Sequence, residues 1–221
     1  MTSTHLSLIS SEIASNEQVD PLLNHLLAMT ETTYGGSRIQ EAWAEFNRWK
    51  PISPESAGRY SALFRAWLLF DWTPDANDPT LPRGVVPERT PAEHFLETLD
   101  LDQQKHSLLT QICEETFSFF HIRSDKNTNV LQITNLMNDE QFQVPSSTDI
   151  PRGTTFGLII PPQRDQPGTL ISSSPEVFGE AAQEQIKKFR IALNGGPLRR
   201  DQMREFAIEL FDAYHALKKT D

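Results

Sequence analysis

Chemistry in this chain would have to come from six histidines, the triplet Ser172-Ser173-Ser174, the carboxylate pairs Glu114-Glu115 and Asp139-Glu140, the isolated Asp71, or the lone Cys113. The histidines are His5, His25, His94, His106, His121 and His215, and no two stand at HExxH or HxH spacing, so no metal-binding set is expected. Ser172 to Ser174 lack the GxSxG elbow that exposes a nucleophile, and Ser174 before Pro175 reads instead as a helix cap. Sequence-adjacent carboxylates on a helix end or a hairpin turn point apart and stay hydrated, whereas acid-base work needs two held across a cleft in unequal environments. Gly195-Gly196 has neither the preceding strand nor the following lysine of a phosphate loop. No catalytic residue, metal ligand or cofactor is therefore assigned. Asp71, which ends an apolar run, and His94 and His121 are the groups a hydrolase-like alternative would draw on.

One cysteine excludes a disulfide framework and a cysteine-based zinc site, and fits a reducing compartment. The first residues show neither a basic n-region nor an apolar h-region, and no stretch reaches eighteen uninterrupted apolar residues. A cytoplasmic protein with no membrane contact is expected. The net charge of -10 disfavours nucleic acid and anionic surfaces, which are bound through clustered Lys and Arg. A local basic patch nevertheless gathers near the C-terminus at Lys187, Lys188, Arg190, Arg199, Arg200 and Arg204.

The elements that would position these groups fall into four segments. Residues 1–18 are polar and expected to be flexible. Residues 19–116 read as helical. Asp20-Pro21 looks like a cap and first turn, with Leu22, Leu23, Leu26 and Leu27 on one face. Tyr34-Gly35-Gly36 breaks that helix, and Ser37 with Gln40 opens a second one. YSALFRAWLLFDW, residues 60–72, is the densest apolar run and predicts a central buried helix, followed by a loop with Pro74, Pro79, Pro82 and Pro87 that could strap the fold or bind a partner. Thr90-Pro91-Ala92-Glu93 is a capping box with proline at N1, and Asp102 caps a further helix. Residues 117–174 hold five short β-prone runs separated by turns, which predict a small five-stranded antiparallel sheet or a partly open barrel. Residues 175–221 predict a helical pair packed on the same unit, the first helix starting at Ser174-Pro175, the second running from Arg200 to Lys219. The fold class expected is α+β.

The order LFRAWLLFD, Pro-rich loop, TPAEHFLETL, LDQQKHSLLTQI, FSFFHI, LQITNLMNDEQFQV, RGTTFGLIIPP and SSSPEVF resembles the uncharacterised "WLLFD" domain of bacterial SEC-C motif proteins. The likeness spans roughly residues 40–190 and is carried by residues 67–71, Phe95-Leu96, Leu108-Leu109, the hairpin 135–144 and residues 175–178. The zinc-binding SEC-C tail that names those proteins is missing, since Cys113 is the only cysteine. The resemblance implies a fold and carries no catalytic residues.

The functional expectation is a non-enzymatic binding or adaptor domain whose partner is another protein or a second copy of the chain. Its expected contact surface is the stripe Met203, Phe206, Leu210, Phe211 and Tyr214 on the last helix, because an amphipathic face can be buried against a partner as well as internally. The alternatives are a hydrolase-like site between helices and sheet, and nucleic-acid binding through the basic patch.

Overall fold

The computed structural model describes residues 9–11, 19–48, 52, 57–115, 117–124, 130–145, 153–160, 169–172, 178, 180–193 and 200–218. It is mixed helix and sheet, the α+β class expected, and divides into two compact units, residues 17–114 with 1–7, and residues 115–221 with 8–16.

The first unit is helical. Helix α1 (Val19–Phe46) begins one residue before Asp20, so Asp20 does not cap it, and it is broken at Gly35, whose φ of 77° and ψ of 162° lie in a region open essentially to glycine alone. The break is the one expected from Tyr34-Gly35-Gly36. Leu22, Leu23 and Leu26 are buried before it, Ala42 and Phe46 after it. A 3-10 turn, Ala57–Tyr60, leads into α2 (Ser61–Phe70), where Ala62, Leu63, Ala66, Trp67, Leu68, Leu69 and Phe70 are all buried. The central position of this helix follows from its aromatic partners: Phe64 meets Trp43 edge-on at 4.8 Å and Phe46 at 5.5 Å, and Trp67 lies 5.4 Å from Phe46. Such pairs add about 0.5–1.5 kcal/mol each to the area they bury.

Helix α3 (Pro91–Thr98) is opened by the expected capping box: the Glu93 N–H donates to Thr90 Oγ1 at 3.2 Å and the Thr90 N–H to Glu93 Oε2 at 2.9 Å. Asp102 starts α4 (Gln103–Glu114), accepting from the Lys105 N–H at 2.8 Å, and Leu108, Leu109 and Ile112 form its buried face.

The second unit is a sheet with helices. Strands β1 (Ile9–Ser11), β2 (Ser118–Ser124), β3 (Val130–Asn135), β4 (Gln141–Pro145), β5 (Gly153–Ile160) and β6 (Thr169–Ser172) are ordered β1-β6-β5-β2-β3-β4, every pair antiparallel. One expectation is corrected here. Residues 9–11, placed in a flexible N-terminus, pair with β6 as a sixth strand, Ile9 opposite Ser172 and Ser11 opposite Leu170. The order leaves β1 and β4 as edges that do not pair among the described residues, so of the two forms expected, sheet or partly open barrel, the structure has an open antiparallel sheet. Phe120, Ile122, Leu131 and Ile133 form a buried apolar cluster with Phe142 packed against it.

Helix α5 (Glu180–Ala192) starts later than Ser174-Pro175 predicts. Phe178 is extended, exchanging two backbone hydrogen bonds with Thr154 of β5 at 2.7 and 3.0 Å, which a helical Phe178 could not make. Ser174, Pro175 and Val177 lie outside the described residues. Helix α6 (Arg200–Lys218) turns its apolar stripe inward: Met203, Leu210 and Phe211 are buried, Phe211 meets Phe178 at 4.9 Å, and Phe206 stacks on Phe189 at 4.0 Å and meets Phe119 of β2 edge-on at 5.5 Å. The expected contact surface is thereby corrected at Met203, Leu210 and Phe211, which complete the core of their own unit; Phe206 is half-buried, and the side chain of Tyr214 lies outside the described residues.

Candidate binding groove

The groups singled out by their chemistry are divided between the two units. Asp71 follows α2, its N–H donating to Trp67 O at 2.9 Å, and belongs to the first unit with His94. His94 is buried on α3, its ring 6.4 Å from Tyr34 and 5.3 Å from Phe95, and its Nδ1 has no hydrogen-bond partner among the described residues. Burial pushes its pKa down, against the smaller opposing field of Glu97. His121 belongs to the second unit, where its Nδ1 lies 3.3 Å from Thr154 Oγ1 and 3.1 Å from Gln183 Nε2. Among the described residues, no group of three or more His, Cys, Asp or Glu side chains could hold a metal ion.

The basic patch is divided by acids. Arg190 pairs with Asp139 at 2.6 Å, and that contact raises the arginine's pKa and holds the aspartate's carboxyl below the usual range. Lys188 stands 4.0 Å from Glu184, and Lys187 is exposed beside it. Arg204 is half-buried on α6; Arg199 and the side chain of Arg200 lie outside the described residues.

Concave geometry appears elsewhere, in the first unit, where the second half of α1 faces the Pro-rich loop. A groove of about 510 Å³ is lined on the helix side by Arg38, Glu41, Ala42, Glu45 and Arg48, and on the loop side by residues 72–78 and Glu88. Positions 38, 41 and 45 recur at steps of three and four, which places them along one stripe of the helix, and Arg48 follows in the turn just beyond its end. Ala42 and Phe46 meanwhile supply the buried face. The loop is built from short turns fixed by its own carboxylates. Asp75 Oδ1 accepts from the Asn77 N–H at 2.9 Å, and Asp78 Oδ1 accepts from both the N–H and the hydroxyl of Thr80 at 2.9 Å. Its ends close where the Glu88 N–H, on a residue with φ of 63°, reaches Pro74 O at 3.4 Å.

Two polar contacts among the described residues tie the loop to the helix. Trp72, buried at the start of the loop, donates its indole N–H to Glu45 Oε2 at 3.2 Å and is held from behind by the edge of Tyr34 at 5.5 Å. Arg38 is the second tie: one guanidinium nitrogen bridges Glu41, at 2.6 Å, and Asp78, and the other donates to Thr80 Oγ1. Hydrogen bonding to Asp78 raises the Arg38 pKa, while the Thr80 N–H, then the Thr80 hydroxyl and Arg38, hold the Asp78 carboxyl below its usual range.

Five carboxylates (Glu41, Glu45, Asp75, Asp78 and Glu88) thus face the groove against two guanidiniums. Sequence reasoning passed over them. The stripe 38, 41, 45 on a helix followed by a long proline-rich loop is the available signal, because a charged helical face opposite an irregular segment is where a polar cleft forms.

No protein-family model, curated protein or solved structure matches the chain.

Proposed function

We propose that the chain is a non-enzymatic protein-binding module whose first unit receives a basic, extended segment of another protein in the groove between α1 and the Pro-rich loop. The observation that carries this reading is the charge of the lining, five carboxylates to two arginines around Trp72. Carboxylates gathered in a concave setting suit lysine and arginine side chains, which pair with them through charge-assisted hydrogen bonds. The volume falls in the range of about 300–1,000 Å³ found for ligand pockets, but the polar lining favours a charged segment over an apolar small molecule. Complementary charge of this kind contributes chiefly to partner choice and encounter rate. The likeness to the "WLLFD" domain supports placing residues 40–190 in that group of proteins, and the lone Cys113 fits work in a reducing cytoplasm.

All four tryptophans lie between positions 43 and 72, and Trp72 lines the groove, so intrinsic fluorescence is a direct probe. Titration with an unstructured Lys- and Arg-rich peptide at low ionic strength is expected to change the emission and to saturate. A Glu-rich peptide of equal length is expected to leave it unchanged. The basic-peptide affinity should fall with salt and fall further in the double variant Glu45→Gln, Asp75→Asn. Equal binding of the two peptides, or no loss in the double variant, refutes the reading.

A further inference from the structure

We propose that Arg38 is a built-in competitor for the groove: its guanidinium occupies the carboxylates a ligand's cation would use, and in doing so latches the Pro-rich loop shut. This inference rests on the reading of the groove as a site for basic segments.

The geometry gives Arg38 both roles at once. It is the residue of α1 that reaches the middle of the loop, through Asp78 and Thr80, while also holding Glu41 on its own helix. The Trp72–Glu45 contact anchors only the loop's first residue, and the Pro74–Glu88 contact joins the loop to itself. Around Thr80 the prolines at 79 and 82 have no N–H, and the N–H groups of Thr80 and Leu81 are taken by Asp78, so side chains make the connection to α1 there. The Arg38 and Asp78 side chains are each 15% exposed, whereas Glu41 is 61% exposed, so the latch is shielded on the loop side and open on the helix side. An incoming guanidinium can therefore engage Glu41 first and then displace Arg38 from Asp78, an exchange of one charge-assisted bond for another of the same kind. Freed from Asp78 and Thr80, the loop would keep its end contacts and the packing of the half-buried Leu81, Pro82 and Val85. Binding and loop opening are then coupled, since a ligand shifts an equilibrium only by binding one state better than the other.

The test uses the full chain, wild type and Arg38→Met, with Thr80→Val as a second variant that breaks the latch from the loop side without altering the charge of the groove. Amide hydrogen exchange over residues 73–89 and the affinity of the Lys- and Arg-rich peptide are measured on each protein. Exchange in the loop is expected to rise at least tenfold in both variants, and also in the wild type on saturation with peptide. The peptide should bind several-fold tighter to Arg38→Met. Unchanged loop exchange in both variants overturns the latch. Faster exchange with weaker peptide binding to Arg38→Met overturns the competition, because Arg38 would then help to hold the ligand. Faster exchange with no peptide binding to any of the three proteins instead removes the groove reading on which the proposal depends, and the proposal with it.

Discussion

Replacing Tyr34 by phenylalanine should stabilise the helical unit, contrary to the usual result of deleting a buried tyrosine hydroxyl. Tyr34 is 3% exposed, yet its Oη has no hydrogen-bond partner among the described residues. A buried hydroxyl that makes a hydrogen bond contributes roughly 1 kcal/mol, whereas one left unsatisfied costs about 1–3 kcal/mol. Tyr34→Phe removes the orphan and keeps the ring, so the edge contacts with Trp72 at 5.5 Å and His94 at 6.4 Å persist. The expected gain is about 1 kcal/mol, the lower end of that range, because the larger values belong to groups fully cut off from water. With an m-value of about 1–1.5 kcal/mol/M, suitable for a unit of roughly a hundred residues, the urea midpoint should rise by about 0.7–1 M. Tryptophan emission reports this unit directly, since every tryptophan of the chain lies between positions 43 and 72. The alkaline limb supplies an independent reading. Burial pushes the Tyr34 hydroxyl from 10.0 up to about 12, so between these values the unfolded chain loses the proton before the folded one does. The wild type should lose stability as pH rises through that window, and Tyr34→Phe should lose less. A midpoint lowered by the equivalent of about 1 kcal/mol would show that Oη has a partner, and would refute the reasoning.

Acid should act on the same cluster from the other side. Burial, only partly opposed by Glu97, lowers the His94 pKa from its ordinary 6.5, so below that value the unfolded chain takes up the proton first. Stability of the helical unit should therefore be unaffected by His94 above pH 6.5 and decline as pH falls below it; urea midpoints from pH 7.5 to 5 should fall less steeply in His94→Phe than in the wild type. Thr90→Ala removes the acceptor of the capping box and leaves the Glu93 N–H without it, which should cost about 1 kcal/mol in the same urea assay, while Thr90→Ser should recover most of the loss.

What could be read from the chain by itself follows the distance over which each interaction acts. The Thr90–Glu93 box and the Asp102 cap close within three residues, and the break at Gly35 is decided by one residue's backbone, so each is visible in a short window. Strand β1 is not, because three residues are too few to display a period of two and its partners Leu170 to Ser172 lie at the far end of the chain. At residues 174–178 local and distant signals disagree: Ser-Pro-Glu is a good helix opening, yet the backbone of Phe178 is taken by Thr154, and the tertiary pairing prevails. The stripe of α6 identifies which face is apolar but not what covers it. The answer, Phe119, Phe178 and Phe189, comes from three separate elements.

Charge behaves the same way at a larger scale. Residues 1–100 carry 14 acidic and 7 basic side chains, so the sign of a polar cleft in this half of the chain is implied by composition before any fold is known. Composition does not say where the excess gathers. Glu41 and Glu45 belong to a helix and would by themselves be solvated surface groups, as would Asp75, Asp78 and Glu88 on an isolated loop. They become a groove because Trp72, buried behind Glu45, and Arg38, reaching Asp78, bring the loop back over the helix. The same arginine that makes this arrangement cohere also masks part of its charge, which is why the behaviour of Arg38→Met separates a groove that is merely polar from one held ready for a cation.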